Sequence, residues 1–321
     1  MTPKELKELD FEQAAMETFR FQALRNPIYQ KFLSLLGRSA AEVQCVDEIP
    51  FMPIQFFKDF QIKTTDFVPE KVFLSSGTTG SIQSKHLVKD LKWYNWSFRE
   101  AFDYFYGPVE DYVVLALLPS YLERDGSSLI YMADDFIKRS KHKESGFYLN
   151  NRKELIENLN ELEKAGKKTL LLGVSFALLD LVEEHPFSLK HTVVMETGGM
   201  KGRRKEMIRE ELHQALASGF GLEHIHSEYG MTELLSQAYS KGKGVFQCPP
   251  WMKIKIRDTE DALTLLPEGK SGGINIIDLA NRYSCSFLAT QDLGRCIDDK
   301  NFEVLGRFDN SDIRGCNLLI Q

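Results

Sequence analysis

The chain has 321 residues, 43% of them hydrophobic and 27% charged, the make-up of a globular protein with room for one large domain or two ordinary ones. Its 46 acidic and 40 basic residues leave a formal net charge of −6, without a basic block of the kind that grips nucleic acid, so a small-molecule substrate is the expected ligand. The N-terminal stretch MTPKELKELDFEQAAMETF lacks the apolar core of a secretory signal, and the longest apolar run, 170–182, is too short to span a bilayer; a cytoplasmic location without membrane insertion is expected.

From Lys4 to Leu36, apolar residues at Leu6, Leu9, Phe11, Ala14, Ala15, Phe19 and Ala23 recur at a helical spacing, and helices broken near Asn26-Pro27 are predicted. The aromatic run WYNWSFREAFDYFY (93–106) reads as an amphipathic helix packed on the core, although the same residues suit the wall of an acyl tunnel. Strand-like segments at Tyr112–Leu118, Thr169–Leu172 and Thr192–Glu196 alternate with helices at Arg152–Ala165, capped by Asn150 or Asn151, and about Arg204–Ala217, ended by Gly219. That alternation predicts an α/β fold with a largely parallel sheet. From Met252 the texture changes to short strands between turns: Lys253–Arg257, Leu263–Leu266, Ile274–Asp278, Phe287–Thr290 and Phe302–Leu305. A smaller β-rich part is therefore expected at 252–305, with no repeat or linker marking a sharp boundary.

Several stretches carry chemistry. SSGTTG (75–80) follows the apolar Val72-Phe73-Leu74; its two glycines and four hydroxyls suit a loop that holds an anion, and by itself it reads equally well as an ordinary turn. It lacks the Gly-Lys-Ser/Thr ending of a P-loop, which argues against a P-loop kinase. METGG (195–199) puts Gly198 and Gly199 at a predicted strand end, where ligands lie against backbone in α/β proteins. SEYGMTE (227–233) offers Tyr229 to stack on a base, Gly230 for flexibility, Thr232 to meet a phosphate oxygen, and Glu233 to hold Mg²⁺. In TQDLG (290–294) and LGRFDNSDIRG (305–315), Asp292 and Arg307 stand beside tight turns. Each piece in isolation is also explained by a buried tyrosine or a surface turn.

Together and in this order the pieces resemble the adenylate-forming superfamily of acyl-CoA synthetases, luciferases and related ligases, across residues 75–309. The resemblance implies that family's large-domain fold. It also implies that Ser75, Ser76, Gly77, Thr78, Thr79 and Gly80 order the ATP phosphates; that Gly198, Gly199 and Tyr229 frame the adenine; that Thr232 contacts the adenylate phosphate; that Glu233 binds Mg²⁺; and that Asp292 and Arg307 meet the ribose. Two departures stand out. The phosphate loop continues SIQSKH rather than into Pro-Lys, so Lys85 either replaces the family's lysine from a shifted position or faces solvent. The sequence ends at Gln321, soon after the Gly-Arg-x-Asp turn, where two-domain members continue into a C-terminal domain with a catalytic lysine.

A short chain with this ending, and with IPFMPIQFFK at 49–58, resembles the LuxE-type acyl-protein synthetases. That resemblance implies one domain at 1–305, a hinge motif and tail at 306–321, and an acyl group carried as a thioester on Cys316 in IRGCNLLIQ. It further implies a fatty acid substrate and an acyl-CoA-reductase-like protein partner. A thiolate is a strong nucleophile, and Arg314 would favour that form; a structural cysteine in a frayed tail explains the same residue. The other cysteines (Cys45, Cys248, Cys285 and Cys296) are scattered without C-x-x-C spacing, so neither disulfides nor zinc are indicated. His86, His224 and His226 flank the motifs without metal-ligand spacing and serve packing equally well. The alternatives are a phenylacetate-CoA-ligase-like enzyme that uses coenzyme A, and a non-catalytic nucleotide-binding subunit that scaffolds a partner.

Overall fold

Asn26 ends one helix and starts the next. Its backbone N–H closes α2 (Phe11–Arg25), which follows the short α1 (Pro3–Glu8), while its side chain accepts from Ile28 and Tyr29 at the start of α3 (Pro27–Leu35), where Pro27 needs no donor. A second cap, Asp10 on the Gln13 N–H, splits the helical stretch once more. Asn26 and Gln22 also bond the backbone of Asn281, Arg282 and Ser284, which fastens these helices to the far end of the chain. The structure, a computed structural model, describes residues 2–8, 10–76, 82–119, 126–198 and 207–308.

After the short β1 (Met52–Pro53) and α4 (Phe56–Asp59), strands β2 (Lys71–Leu74) and β3 (Lys85–Val88) form a separate antiparallel pair. Helix α5 (Leu91–Tyr106) contains the aromatic run, and its rings pack inward: Tyr94 against Phe73, Phe98 against Phe136, and Phe102 against Tyr112. The packing reading of that run thus describes this helix. Then come β4 (Val113–Leu117), α6 (Ser128–Ser140), β5 (Gly146–Phe147), α7 (Arg152–Lys164), β6 (Thr169–Val174), α8 (Ser175–Glu184), β7 (Thr192–Thr197), α9 (Arg209–Phe220) and β8 (His226–Tyr229). Their strands run parallel in the order β5-β4-β6-β7-β8. Strands β4 and β6 are buried at every position, as parallel strands covered by helices on both faces must be.

The chain then reverses into β9 (Ala238–Ser240), β10 (Val245–Gln247), β11 (Met252–Arg257), β12 (Ser271–Asp278), β13 (Phe287–Cys296) and β14 (Asn301–Arg307). These antiparallel strands continue the same sheet in the order β8-β9-β10-β14-β13-β12-β11, and β1 joins it beside β13. The fold is α/β, with a parallel half and an antiparallel half.

The apolar run 170–182 divides at Ser175 into β6 and α8. Two expectations are corrected. Leu263–Leu266 forms no strand, only a bridge between Leu265 and Arg257, because Asp258 and Asp261 take the N–H groups of Glu260, Asp261 and Leu263 into side-chain turns that compete with a ladder. Helix α9 ends on Gly221, at φ +68°, not on Gly219. Gly219 lies inside the helix, where a Cβ would fall 2.4 Å from Val182 Cβ on α8.

A Gly219→Ala change ordinarily helps a helix by roughly 0.5–1 kcal/mol. Here it should cost about 1–3 kcal/mol, because it overpacks α8 against α9. Urea midpoints would show this; a stability equal to or above wild type would mean that the two helices separate freely.

Candidate active site

The β2–β3 hairpin is closed by serines. Ser75 N–H donates to the Ser84 carbonyl (3.1 Å), Ser84 N–H returns to Ser75 Oγ (2.9 Å), and Gln83 Nε2 donates to the Ser75 carbonyl (2.7 Å). Ser76 follows at the hairpin's end and Lys85 is exposed. Gly77, Thr78, Thr79, Gly80, Gly199 and Cys316 lie outside the described residues. Leu74 N–H donates to the Gly126 carbonyl at 2.7 Å, so the hairpin is bound to the segment that follows β4.

Tyr229 is the last residue of β8, whereas Asp292 and Arg307 face each other across β13 and β14. Tyr229 Oη donates to Asp292 Oδ2 at 2.7 Å and Arg307 Nε donates to Oδ1 at 3.0 Å, so both carboxylate oxygens are engaged. Phe246 and Phe302 meet the Tyr229 ring edge-on. Burial, then the adjoining Asp292 charge, pushes the Tyr229 hydroxyl well above the usual phenol range, and it stays a donor. Arg257 braces the same strand: it donates to the Thr290 carbonyl (2.6 Å), while Thr290 Oγ1 receives the Asp292 N–H (3.1 Å).

Thr232 and Glu233 follow β8 in a turn held from three sides. The buried Asp278 carboxylate accepts from Leu235 N (2.7 Å), Ser236 N (3.1 Å), Ser236 Oγ (2.5 Å) and Ala280 N (3.2 Å). Asn281 Nδ2 donates to the Glu233 carbonyl at 2.7 Å, and His86 Nδ1, on β3, lies 2.8 Å from the Thr232 carbonyl. Burial raises the Glu233 carboxyl, against the opposing pull of Ser84, Arg307 and Lys58. Ser84 on the hairpin and the Arg307 that binds Asp292 thus both act on the Glu233 carboxyl. The hairpin, the Tyr229–Glu233 segment and the Asp292–Arg307 pair meet in one place.

The residues present fit a magnesium ion held jointly with phosphates. Among the described residues no three acidic, histidine or cysteine side chains form a metal cluster, whereas Glu233 is a buried carboxyl that positive charge would favour. Mg²⁺ is commonly bound by one or two carboxylates with substrate phosphates completing its shell.

Two further acids occupy the carboxyl ends of the parallel strands. Glu196 takes Arg209 Nη1 (2.9 Å) and Ser175 Oγ (3.1 Å) with His213 beside it; burial opposes ionisation, but His213 and Arg209 hold its carboxyl below the usual range. Ser175 also binds the Gly198 carbonyl at 2.7 Å. Among the described residues Glu228 is bonded to a single hydroxyl, Thr197 Oγ1 at 2.5 Å, and burial, with Glu196 nearby, raises it to about 7. Its Oε1 lies against Gly230, where a Cβ would fall 2.4 Å away. Sequence reading missed Arg209, Asp278 and Asn281, which carry no local signal; Glu196 and Glu228 stood inside motifs but unmarked. His226 contacts Tyr106 Oη (3.1 Å) and His224 packs under Gly242, so their rings are engaged away from the turn. Burial pushes the Cys285 thiol up to about 12 and raises those of Cys248 and Cys296, while Cys45 is exposed.

This architecture is that of the adenylate-forming enzymes. ATP-bound MatB from Rhodopseudomonas palustris superposes with a TM-score of 0.56 at 17% identity, over 74% of this chain and 47% of that one. O-succinylbenzoate Coenzyme A synthetase (MenE) from Bacillus subtilis, in complex with ATP and magnesium ion, gives 0.52 at 18% over 74% and 49%. 2-Hydroxyisobutyryl-CoA ligase in complex with 2-HIB-AMP and CoA gives 0.66 at 12% over 93% and 67%. The chain thus spans about half the length of MatB and MenE. No curated protein matches it. The family model of the LuxE acyl-protein synthetases matches residues 143–321, more than half of the sequence, and the chain belongs to that family.

The shifted groups set opposing pH dependences. Folded Glu228 keeps its proton to about 7, against 4.5 for an ordinary glutamate, so stability falls as pH rises between these values, by about 3 kcal/mol in all. His86 and His226, held near 4 by burial against an ordinary 6.5, act the other way: the unfolded chain takes up protons first, and stability falls as pH drops through that window. Glu228→Gln removes the first effect and keeps the second. Its melting temperature should therefore climb more steeply than wild type between pH 4.5 and 6.5; parallel curves would mean that Glu228 is ionised in the folded protein.

Proposed function

We propose that the chain activates a carboxylic acid, a fatty acid in the first instance, with Mg·ATP and transfers the acyl group to a thiol. A carboxylate oxygen attacks the α-phosphorus, a new P–O bond forms, and pyrophosphate leaves. A thiolate then attacks the acyl carbon of the resulting acyl-adenylate, the bond to the phosphate oxygen breaks, and AMP leaves with that electron pair. The observation that carries this reading is the convergence, in a LuxE-family chain, of the serine hairpin, the Thr232–Glu233 turn and the Tyr229–Asp292–Arg307 set.

In this reading the hairpin loop and Glu233 with its Mg²⁺ take the phosphates, Tyr229 with Gly198, Gly199 and Gly230 frames the adenine, and Asp292 and Arg307 receive the ribose. Thr232 contacts the adenylate phosphate and Cys316 accepts the acyl group for delivery to a reductase-like partner. Catalysis then comes from positioning and charge neutralisation. Among the described cysteines the buried ones are poor nucleophiles, which supports an acceptor elsewhere. Coenzyme A is the second reading for that acceptor, favoured by structural neighbours that are CoA ligases.

Incubation with Mg·ATP and a panel of carboxylic acids, read by mass spectrometry of both nucleotides and intact protein, tests the proposal. AMP together with an acyl adduct that hydroxylamine removes and Cys316→Ala abolishes is the expected result. AMP without an adduct, and an acyl thioester only when coenzyme A is added, would move the acceptor to coenzyme A. ADP as product, or ATP bound but never cleaved with any acid, would overturn the ligase reading.

A further inference from the structure

We propose that His86 is a positioning residue for the adenylate-forming step, coupling the phosphate-side hairpin to the backbone of Thr232 and Glu233; this rests on the acyl-adenylate reading above. His86 is fully buried on β3, a few residues from the end of the hairpin loop, and its ring stands edge-on to Phe57 at 5.6 Å. Both ring nitrogens have a close polar neighbour: Nδ1 lies 2.8 Å from the Thr232 carbonyl and Nε2 lies 3.0 Å from Asn281 Oδ1. Asn281 in turn donates Nδ2 to the Glu233 carbonyl at 2.7 Å. One imidazole and one amide therefore lie on two successive carbonyls of the turn, those of Thr232 and Glu233.

The donor count makes this linkage directional. A backbone carbonyl only accepts, so the proton of a neutral His86 belongs on Nδ1, pointing at Thr232. Nε2 then presents a lone pair to Asn281 Oδ1, also an acceptor. Turning the amide would mend that contact but place Oδ1 against the Glu233 carbonyl. With one imidazole proton, Asn281 can satisfy Glu233 or His86, and the structure shows it on Glu233. The Nδ1 bond to Thr232 is thus the contact that ties β3 to the turn. Through it the strand fixes the Thr232 carbonyl, and with it the place from which Thr232 and Glu233 meet the phosphate and its metal ion. A displacement of about 1 Å at such a turn is enough to lower a rate by about 10²-fold.

The test compares His86→Asn, whose amide nitrogen falls near the place of Nδ1, with His86→Phe, which keeps the ring but has no donor. The readouts are pyrophosphate release with Mg·ATP and an accepted acid, the KM for ATP, and the Mg²⁺ concentration giving half the maximal rate. His86→Phe should lower kcat by about 10²-fold and raise the Mg²⁺ requirement, and His86→Asn should recover most of both. A purely structural histidine would lower the melting temperature without moving the Mg²⁺ requirement. Equal kcat in folded His86→Phe and wild type, or equal damage in both variants, would overturn the proposal. If His86→Phe does not fold, His86→Gln, whose amide nitrogen falls near the place of Nε2 and leaves the Thr232 carbonyl without its donor, should show the same rise in Mg²⁺ requirement; an unchanged requirement overturns the linkage. If wild type releases no pyrophosphate with any acid, the acyl-adenylate reading fails by itself. Mg·ATP affinity, followed by tryptophan fluorescence, then judges His86 separately: weaker binding in His86→Phe than in His86→Asn supports its role, and equal affinities reject it.

Discussion

The buried carboxylate of Asp278 is the fixed point of this molecule. It sits at the end of β12 and takes three backbone N–H groups and one hydroxyl, from Leu235, Ser236 and Ala280. A carboxylate removed from water is costly unless its lone pairs are filled, and hydrogen bonds to charged groups contribute about 1.5–3 kcal/mol each. Here the filling comes from two distant parts of the chain, so satisfying one charge brings the turn after β8 against the segment after β12. Ser236 extends the contact, since its hydroxyl meets Ser97 on α5 and the Trp251 indole. Loss of this carboxylate would release the turn that carries Thr232 and Glu233 together with the packing of α5.

Around that point the sheet reverses character. Parallel strands end together, and their carboxyl ends deliver Gly198 and Tyr229 to one edge of the crevice, where ligands bind in open α/β sheets. Antiparallel strands deliver pairs instead: Asp292 and Arg307 are register partners, and only a ladder places them opposite each other. Strand β9, paired antiparallel to β8, is where one regime passes into the other. The Tyr229–Asp292 hydrogen bond spans this junction, joining the last residue of the parallel half to the middle of the antiparallel half. The hairpin belongs to neither and is fastened to both, through Leu74 to Gly126 and through His86 to Thr232 and Asn281.

Short-range chemistry was legible in the sequence, and long-range bookkeeping was not. Helix caps at Asn26 and Asn151 act within a few residues of themselves, and the apolar runs of β4, β6 and β7 announce their burial directly. The Ser/Thr/Gly loop and the Tyr-Gly-x-Thr-Glu segment could be picked out because the residue types themselves suggest phosphate and base contacts. Gly219 misled because a glycine near a helix end fits either a cap or a close crossing, and only the position of Val182 decides between them. Asp278, Asn281 and Arg209 were invisible for a related reason: each acts on residues far away in sequence, and no local pattern distinguishes them from surface polar residues. The run from Leu263 to Leu266 failed as a strand because its neighbouring aspartates satisfy the backbone first.

The charges of the site divide by how they are balanced. Asp292 has an arginine and a tyrosine hydroxyl on its two oxygens, and Glu196 has Arg209 with His213 beside it; in both, the protein supplies the compensating group. Glu228 is balanced differently, by holding its proton to about 7, with Thr197 as its partner among the described residues. Glu233 follows neither course. Burial raises its carboxyl, and Ser84 with the more remote Arg307 and Lys58 offsets this without reversing it. A carboxyl in that state gains more from an arriving cation than one already paired, because the new charge acts where solvent is excluded. That asymmetry is the electrostatic ground for reading Glu233, and not Glu196 or Asp292, as the acid that meets a metal ion arriving with phosphates. On that reading the firm hold on the turn's backbone follows as well: among the described residues no ion pair fixes the Glu233 carboxyl, and Asp278, Asn281 and His86 hold its place through the main chain.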